Sequence, residues 1–289
     1  MSTPQSLLRD VHSIVSNRFI EQLEKGIMPW HIVWNEHPQN ITGWPFDHIN
    51  VWLLAHLPYQ RKVFLTEKQI KRYKATVKEG ERGHQIVGIR HRKSTPTFHC
   101  SHVYNIEQLQ GISDTLVPPL RIPANPKQAC EELVSQMPKL PFIIWDASPV
   151  YYSLKADTIL LPDPDCFESE AQYYSSLFYA FAQCTGHQKR RNRDTAINVR
   201  RVDPKTYSCE ELITEMTTGY LCCHTGIEPW YLKHYHADSS GWLRRLKMDN
   251  TIAITAAMYA QEAVNYILNR SPLFNLIQTG VYRPEAVKE

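Results

Sequence analysis

Histidine and cysteine are the residue types from which metal centres and nucleophiles are most readily built, and this 289-residue chain carries 13 and seven of them. Their spacing argues against both uses. Cys184 stands near His187, Cys222 and Cys223 adjoin His224, and His234 is separated from His236 by one residue. No C-x-x-C pair or convincing zinc-ligand spacing results. The cysteines (100, 130, 166, 184, 209, 222 and 223) are odd in number and scattered, as reduced thiols of a cytosolic protein are. No glycine-rich phosphate loop, serine nucleophile elbow or paired acid motif stands out. Glu211 follows Ser208 by three residues, the pattern of a helix capping box.

Charge and aromaticity offer a different chemistry. The net charge is only +3, but between Gln60 and Lys93 eleven Lys or Arg stand against three Glu. Such a local excess suits phosphates or acidic partners, and equally suits a solvated helix face. Upstream lie Trp30, Trp34 and Trp44, which read either as core or as stacking platforms for unpaired bases. A second basic cluster, Lys189, Arg190, Arg191, Arg193, Arg200, Arg201 and Lys205, follows Thr185-Gly186-His187.

The elements that must position these residues are legible from periodicity. Leu8, Val11, Val15, Phe19 and Leu23 predict an opening amphipathic helix that ends near Gly26. His48–His56 reads as a short apolar helix. Val63–Leu65 reads as a strand entering a helix at Thr66, and this helix carries Lys68, Lys71, Arg72 and Lys74. Gln85–Arg90 and Phe98–Tyr104 read as paired strands. Six prolines between Ser113 and Pro141 mark a semi-rigid connector with one helical stretch, Lys127–Gln136. Beyond it, Phe142–Trp145 has the composition of a buried strand, Val150–Ser153 and Thr158–Leu161 read as a hairpin, and Tyr173–Cys184 reads as a buried helix with Gly186 near its end. A closing helix carries Ile252, Ala256, Tyr259, Ala263 and Tyr266. No run reaches the ~18 apolar residues of a membrane span. The start of the chain lacks the basic and apolar stretches of a secretory signal, so a cytoplasmic location is expected.

Ordered phrases carry a family resemblance. LEKGIMPW, Pro38-Gln39-Asn40, Ile49-Asn50, F-L-T-x-K-Q-I, V-K-E-G-E-R-G-x-x-I-V and Tyr104-Asn105-Ile106-Glu107-Gln108 resemble the N-terminal domain of ArdC-type antirestriction proteins. That domain, also found in conjugative primases, implies binding of single-stranded DNA. Where the family has a Tyr-Arg-Gly phrase, this chain has Trp44-Pro45-Phe46, which removes a cation from the expected surface. Ala147, Tyr151, Asp157, Ile159, Leu161, Pro162, Phe167, Tyr173, Tyr174, Leu177, Thr185, Gly186, His187 and Arg190 follow the order of the family's C-terminal domain, which resembles zinc metallopeptidases.

The resemblance implies a His-Glu-x-x-His motif shortly before Thr185. In that motif His at i and i+4 hold Zn²⁺ on one helix face, and Glu acts on the bound water. Here the two His positions fall on Tyr179 and Gln183, and the Glu falls on Ala180. A phenol, an amide and a methyl group do not perform that chemistry. Glu211 occupies the third-ligand position of the family, and His187 is the remaining histidine. Both are vestigial candidates.

The expected architecture is α+β: an ssDNA-binding domain over 1–113, a proline-rich linker over 114–141, and a zincin-like domain over 142–289 without its metal motif. No cofactor and no catalytic residue is expected. The expected DNA-contacting set is Trp30, Trp34, Trp44, Arg61, Lys62, Lys68, Lys71, Arg72, Lys78 and Arg82. The expected function is protection of incoming DNA of a mobile element. Single-stranded DNA is the expected partner, a host defence protein is a further one, and no membrane is involved. A peptidase with a relocated metal and a module that sequesters a defence factor are the competing readings.

Overall fold

The computed structural model describes residues 4–31, 34, 36–92, 95–120, 122–145, 149–197, 207–235 and 239–270. The chain opens with α1 (Pro4–Glu24), whose Val11, Val15, Phe19 and Leu23 are buried as their spacing predicts. Gly26, at φ 73°, takes the left-handed conformation past its end. Arg200, Arg201, Lys205, His236 and Ala147 lie outside the described residues.

The chain divides into two compact units. One takes in the chain up to Ile14 together with Glu36–Arg121, the other Val15–Asn35 together with Ile122–Arg270. The division therefore differs from a simple cut at residue 113. Trp30 is drawn into the second unit by a partner far along the chain, described below.

In the first unit the elements are β1 (Gln39–Asn40), α2 (Ile49–Ala55), β2 (Val63–Thr66), α3 (Glu67–Arg72), β3 (Thr76–Val77), β4 (His84–Arg92), β5 (Thr95–Asn105) and β6 (Leu109–Gln110). They make a sheet of order β1-β2-β5-β4 and a separate β3-β6 pair. Val63, Phe64 and Leu65 are all buried because both faces of β2 are covered. Phe64 joins Leu54 and Val103 on the α2 side, while Val63 and Leu65 join Ile41, Ile70 and Leu109 on the other. Thr66 caps α3 through a reciprocal capping box with Gln69.

The edge strand β4 is closed by a side chain. The Asn50 amide donates to the Val87 carbonyl at 2.9 Å and accepts from the Val87 amide at 2.8 Å. It thus supplies both bonds that a further strand would have made. The Tyr104–Gln108 phrase has a similar structural task. Asn105 Nδ2 donates to the Arg61 carbonyl, the Arg61 amide donates to Glu107 Oε1, and Gln108 Nε2 donates to the Arg82 carbonyl.

The second unit continues with α4 (Pro126–Gln136), β7 (Phe142–Trp145), β8 (Tyr151–Ser153), β9 (Thr158–Leu161), α5 (Glu170–Cys184), α6 (Asp194–Ile197), α7 (Cys209–Thr225), α8 (Trp230–Tyr235), α9 (Ser239–Met248) and α10 (Ile252–Ile267). The stretch expected to be a linker thus contributes a packed helix. Cys130 and Leu133 of α4 are buried, and α4 rests on α7. The sheet order is β7-β9-β8, with β7 parallel and β8 antiparallel to β9. Its inner face buries Tyr152, Ile159 and Leu161. The expectation of a buried β7 is overturned: Phe142 and Ile144 are exposed because they stand on the outer face of an edge strand that no described helix covers, and Trp145, at the strand's end on the other face, is exposed as well.

α7 is the axis of this unit. Every residue from Glu210 to Cys222 is buried, among them three glutamates and three threonines. The hydroxyls of Thr214, Thr217 and Thr218 donate back to the carbonyls four residues earlier, so they need no outside partner.

Replacing Asn50 by Leu should leave both Val87 backbone groups buried and unbonded. Each such group costs about 1–3 kcal/mol. Chemical denaturation should therefore show a loss of about 2–4 kcal/mol, against less than about 0.5 kcal/mol for an exposed control such as Lys68→Ala.

Candidate functional site

The carboxylates of α7 are the natural place to look for chemistry, since buried charge is costly unless it is partnered. Each has a partner. Glu210 is gripped by the Arg193 guanidinium, whose Nε lies 3.2 Å from Oε2. Glu215 accepts from the indole nitrogens of Trp30 and Trp242 and lies 2.9 Å from His31 Nε2. Glu211 accepts from the Tyr179 hydroxyl, with the two oxygens at 2.9 and 3.2 Å.

The last contact decides what Tyr179 does at the position where the resemblance implies a metal ligand. Burial, followed by the Glu211 carboxylate, pushes the Tyr179 phenol well above its ordinary pKa, so it is a neutral donor rather than a phenolate ligand. Ala180 is completely buried and offers no base. Gln183 is half-buried. A cation could use Glu211 only by displacing the hydrogen bond that now satisfies it. The residues present therefore do not fit a divalent ion bound through the motif. Among the described residues no three His, Cys, Asp or Glu side chains converge as ligands.

The capping reading of Glu211 holds in part. Ser208 Oγ accepts from the Glu211 amide at 3.1 Å, while the Glu211 carboxylate turns to Tyr179. Burial pushes the thiols of Cys184 and Cys223 up to about 12, so neither offers a thiolate near neutral pH.

The Thr185–Arg193 turn is a structural clasp. Arg193 Nη1 donates to Thr185 Oγ1 at 2.6 Å, and a Cβ on Gly186 would come within 2.4 Å of the Ala196 Cβ. Gly186 is thus required by close approach, and Thr185 provides the helix cap. Arg190 donates to Asp157 Oδ1 at 2.6 Å, and Lys189 reaches Oδ2 at 3.2 Å. Burial lowers the pKa of His187, with the nearby Arg190 and Lys189 charges adding to this and Asp157 opposing it. Its Nδ1 accepts from the Lys189 amide, a packing role. Arg191 pairs with Glu262. The described part of the second basic cluster is therefore largely neutralised from within.

The expected DNA-contacting residues separate into two groups. Trp30, at 0% exposure, and Trp34, buried against Tyr220, cannot stack on a base, and that expectation is overturned. Arg61 is held by Glu36 through Nε at 3.1 Å and Nη2 at 2.9 Å. Lys62 is buried with its ammonium on the Leu57 carbonyl, and burial lowers its pKa against the pull of Glu107 and Glu36. These two cations serve the fold. Lys68, Lys71, Arg72, Lys78 and Arg82 are exposed, as is Lys74. Trp44, 42% exposed, stands on a turn fixed by Asn40 Oδ1, which accepts from the amides of Thr42 and Trp44. Ile41 of that turn packs in one cluster with Ile70 of α3.

Two family models match the chain: the N-terminal domain of anti-restriction factor ArdC over residues 9–110 and a zincin-like metallopeptidase over 129–259. The antirestriction ArdC protein of the R388 plasmid, solved in a Mn(II)-bound form, aligns over 89% of this chain and 97% of its own, with TM-score 0.74 and 28% identity. Its metal-free form gives TM-score 0.73 and 26% identity over 95% of this chain and 100% of its own. The chain belongs to the ArdC-type antirestriction family. It is also 23% identical to the uncharacterised protein y4eC of Sinorhizobium fredii, over 92% of this chain and 93% of that one. It is 26% identical to the DNA primase TraC of Escherichia coli over 89% of its own length, and spans only 27% of TraC. As in the family, an ArdC N-terminal domain and a zincin-like domain are joined, here with a degenerate metal motif. No described helix is long and apolar enough to cross a membrane.

Sequence reasoning did not find the Glu215 cluster or the Arg193–Glu210 pair. The available signal was a helix with three glutamates among otherwise core-forming residues.

Two predictions follow from these contacts. Tyr179→Phe removes a donor from a buried carboxylate and should destabilise the chain by about 2–4 kcal/mol in denaturant titration. Adding Glu211→Leu should recover part of that loss. Burial alone would raise the pKa of Asp157, but the bonds from Arg190, Tyr152 and Lys189 hold it at about 2, below its ordinary 3.8. Its stabilisation is complete above about pH 4 and is lost as pH falls toward 2, so the deficit of Asp157→Asn should be about 2 kcal/mol at neutral pH and shrink across that window.

Proposed function

We propose that this ArdC-type protein binds single-stranded DNA through its first unit and that its zincin-like domain does not hydrolyse peptides. The observation that supports the binding reading is the exposed cationic helix α3 with its flanking Lys74, Lys78 and Arg82, in the unit that also holds Trp44 outward. The cations would displace counterions from phosphates without regard to sequence. The indole face would stack on an unpaired base. No described element of the first unit has the look of a recognition helix offering side chains to a major groove. The biological role on this reading is protection of a mobile element's DNA from host defence during transfer.

The non-hydrolytic reading rests on the Tyr179–Glu211 bond and on Ala180. The first saturates the carboxylate that a metal would need, and the second leaves no group to take a proton from water.

A fluorescence-anisotropy titration with labelled oligo-thymidine tests the binding reading. Affinity should fall steeply with salt, with a log–log slope of about −0.7 per phosphate neutralised. Lys71→Glu with Arg72→Glu should weaken binding at least about tenfold and flatten the slope by roughly 1–2. Affinity for heparin equal to that for the oligonucleotide would sink the reading.

A further inference from the structure

No described helix packs on the outer face of the β7-β9-β8 sheet, although four of its six residues are apolar or aromatic. Alternation along the strands places Phe142 and Ile144 of β7, Thr158 and Leu160 of β9, and Tyr151 and Ser153 of β8 on this face, opposite the buried Tyr152, Ile159 and Leu161. Phe142 is 81% exposed, Ile144 52% and Tyr151 47%. The two aromatic rings stand on strands that flank β9 and are offset by one residue pair, hence roughly 12 Å apart. That distance lets each ring take a separate base.

Charge points to the occupant. Where Phe142, Thr158 and Ser153 align, the sheet is bordered by exposed lysines that no described carboxylate pairs. Lys139 precedes β7 and Lys155 lies in the β8–β9 turn, while Lys189, after α5, is paired with Asp157. The acidic group of that turn, Asp157, is buried and already committed to Arg190 and Lys189. Lys155 has no ion pair among the described residues. A pair of outward rings on a sheet with a cationic border is the arrangement with which single-stranded nucleic acid is held by stacking and counterion release.

We propose that this face is a second single-strand contact surface, carried by the zincin-like domain and using Phe142 and Tyr151 as stacking rings. The proposal rests on the reading of the chain as a single-strand binder and extends it to the second unit. It also gives the domain a use that needs no metal.

The test uses the full chain and labelled oligo-thymidine. Phe142→Ala and Tyr151→Ala should each weaken binding about fivefold, without changing the salt slope, because a lost stacking ring carries no charge. Lys155→Glu should flatten the slope instead. Phe142→Trp keeps a ring and serves as the folding control; its fluorescence should be quenched as oligonucleotide is added. Suppose the two alanine variants bind as the parent does while Lys71→Glu/Arg72→Glu loses affinity: the proposal then fails and the first-unit reading survives. If neither set changes affinity, both fail. Unchanged DNA affinity with loss of self-association in sedimentation would make the face a contact between copies and overturn the proposal.

Discussion

A carboxylate enclosed in protein must have a partner, and in this chain that constraint shapes the second unit. α7 places Glu210, Glu211 and Glu215 wholly inside. Stripping one of its donors would cost several kcal/mol, so the elements around α7 are fixed by what they supply. Arg193 ties the turn after α5 to Glu210, Tyr179 ties α5 to Glu211, and Trp30, His31 and Trp242 converge on Glu215. At the middle position a hydroxyl–carboxylate bond stands where the family's motif would set a cation. A neutral donor meets the carboxylate there.

The same principle governs the cations. Counting Lys and Arg along the sequence treats every one as available for a phosphate, whereas burial sorts them. Arg61, Lys62, Arg190 and Arg193 are consumed by Glu36, a backbone carbonyl, Asp157 and Glu210. Those of α3 and its surroundings remain in water. The signed total of a segment thus says less about partners than the number of its cations that lack an internal anion.

Local structure was the legible part. The α1 stripe, the Thr66 cap, the β4-β5 and β8-β9 pairs and the α5 helix all follow from periodicity and capping chemistry that lie within a few residues of each other. The illegible part depends on distant partners. Nothing near Trp30 shows that its indole will meet a glutamate 185 residues later. Composition could not tell a strand covered on both faces, such as β2, from an edge strand such as β7, because both are short and mostly apolar. The spacing of Tyr179, Ala180 and Gln183 is local, so the comparison with the motif that the resemblance implies could be made from the sequence. The bond between Tyr179 and Glu211 was not legible, since they are 32 residues apart.

The account stands or falls on whether the α7 carboxylates are satisfied by protein donors alone. Elemental analysis of the chain, purified without chelator and then exposed to Zn²⁺ and Mn²⁺ before exhaustive dialysis, measures this directly. The account predicts that far less than one equivalent of either metal stays with the protein. Retention of one equivalent, lost when Glu211 is changed to Gln, would contradict it.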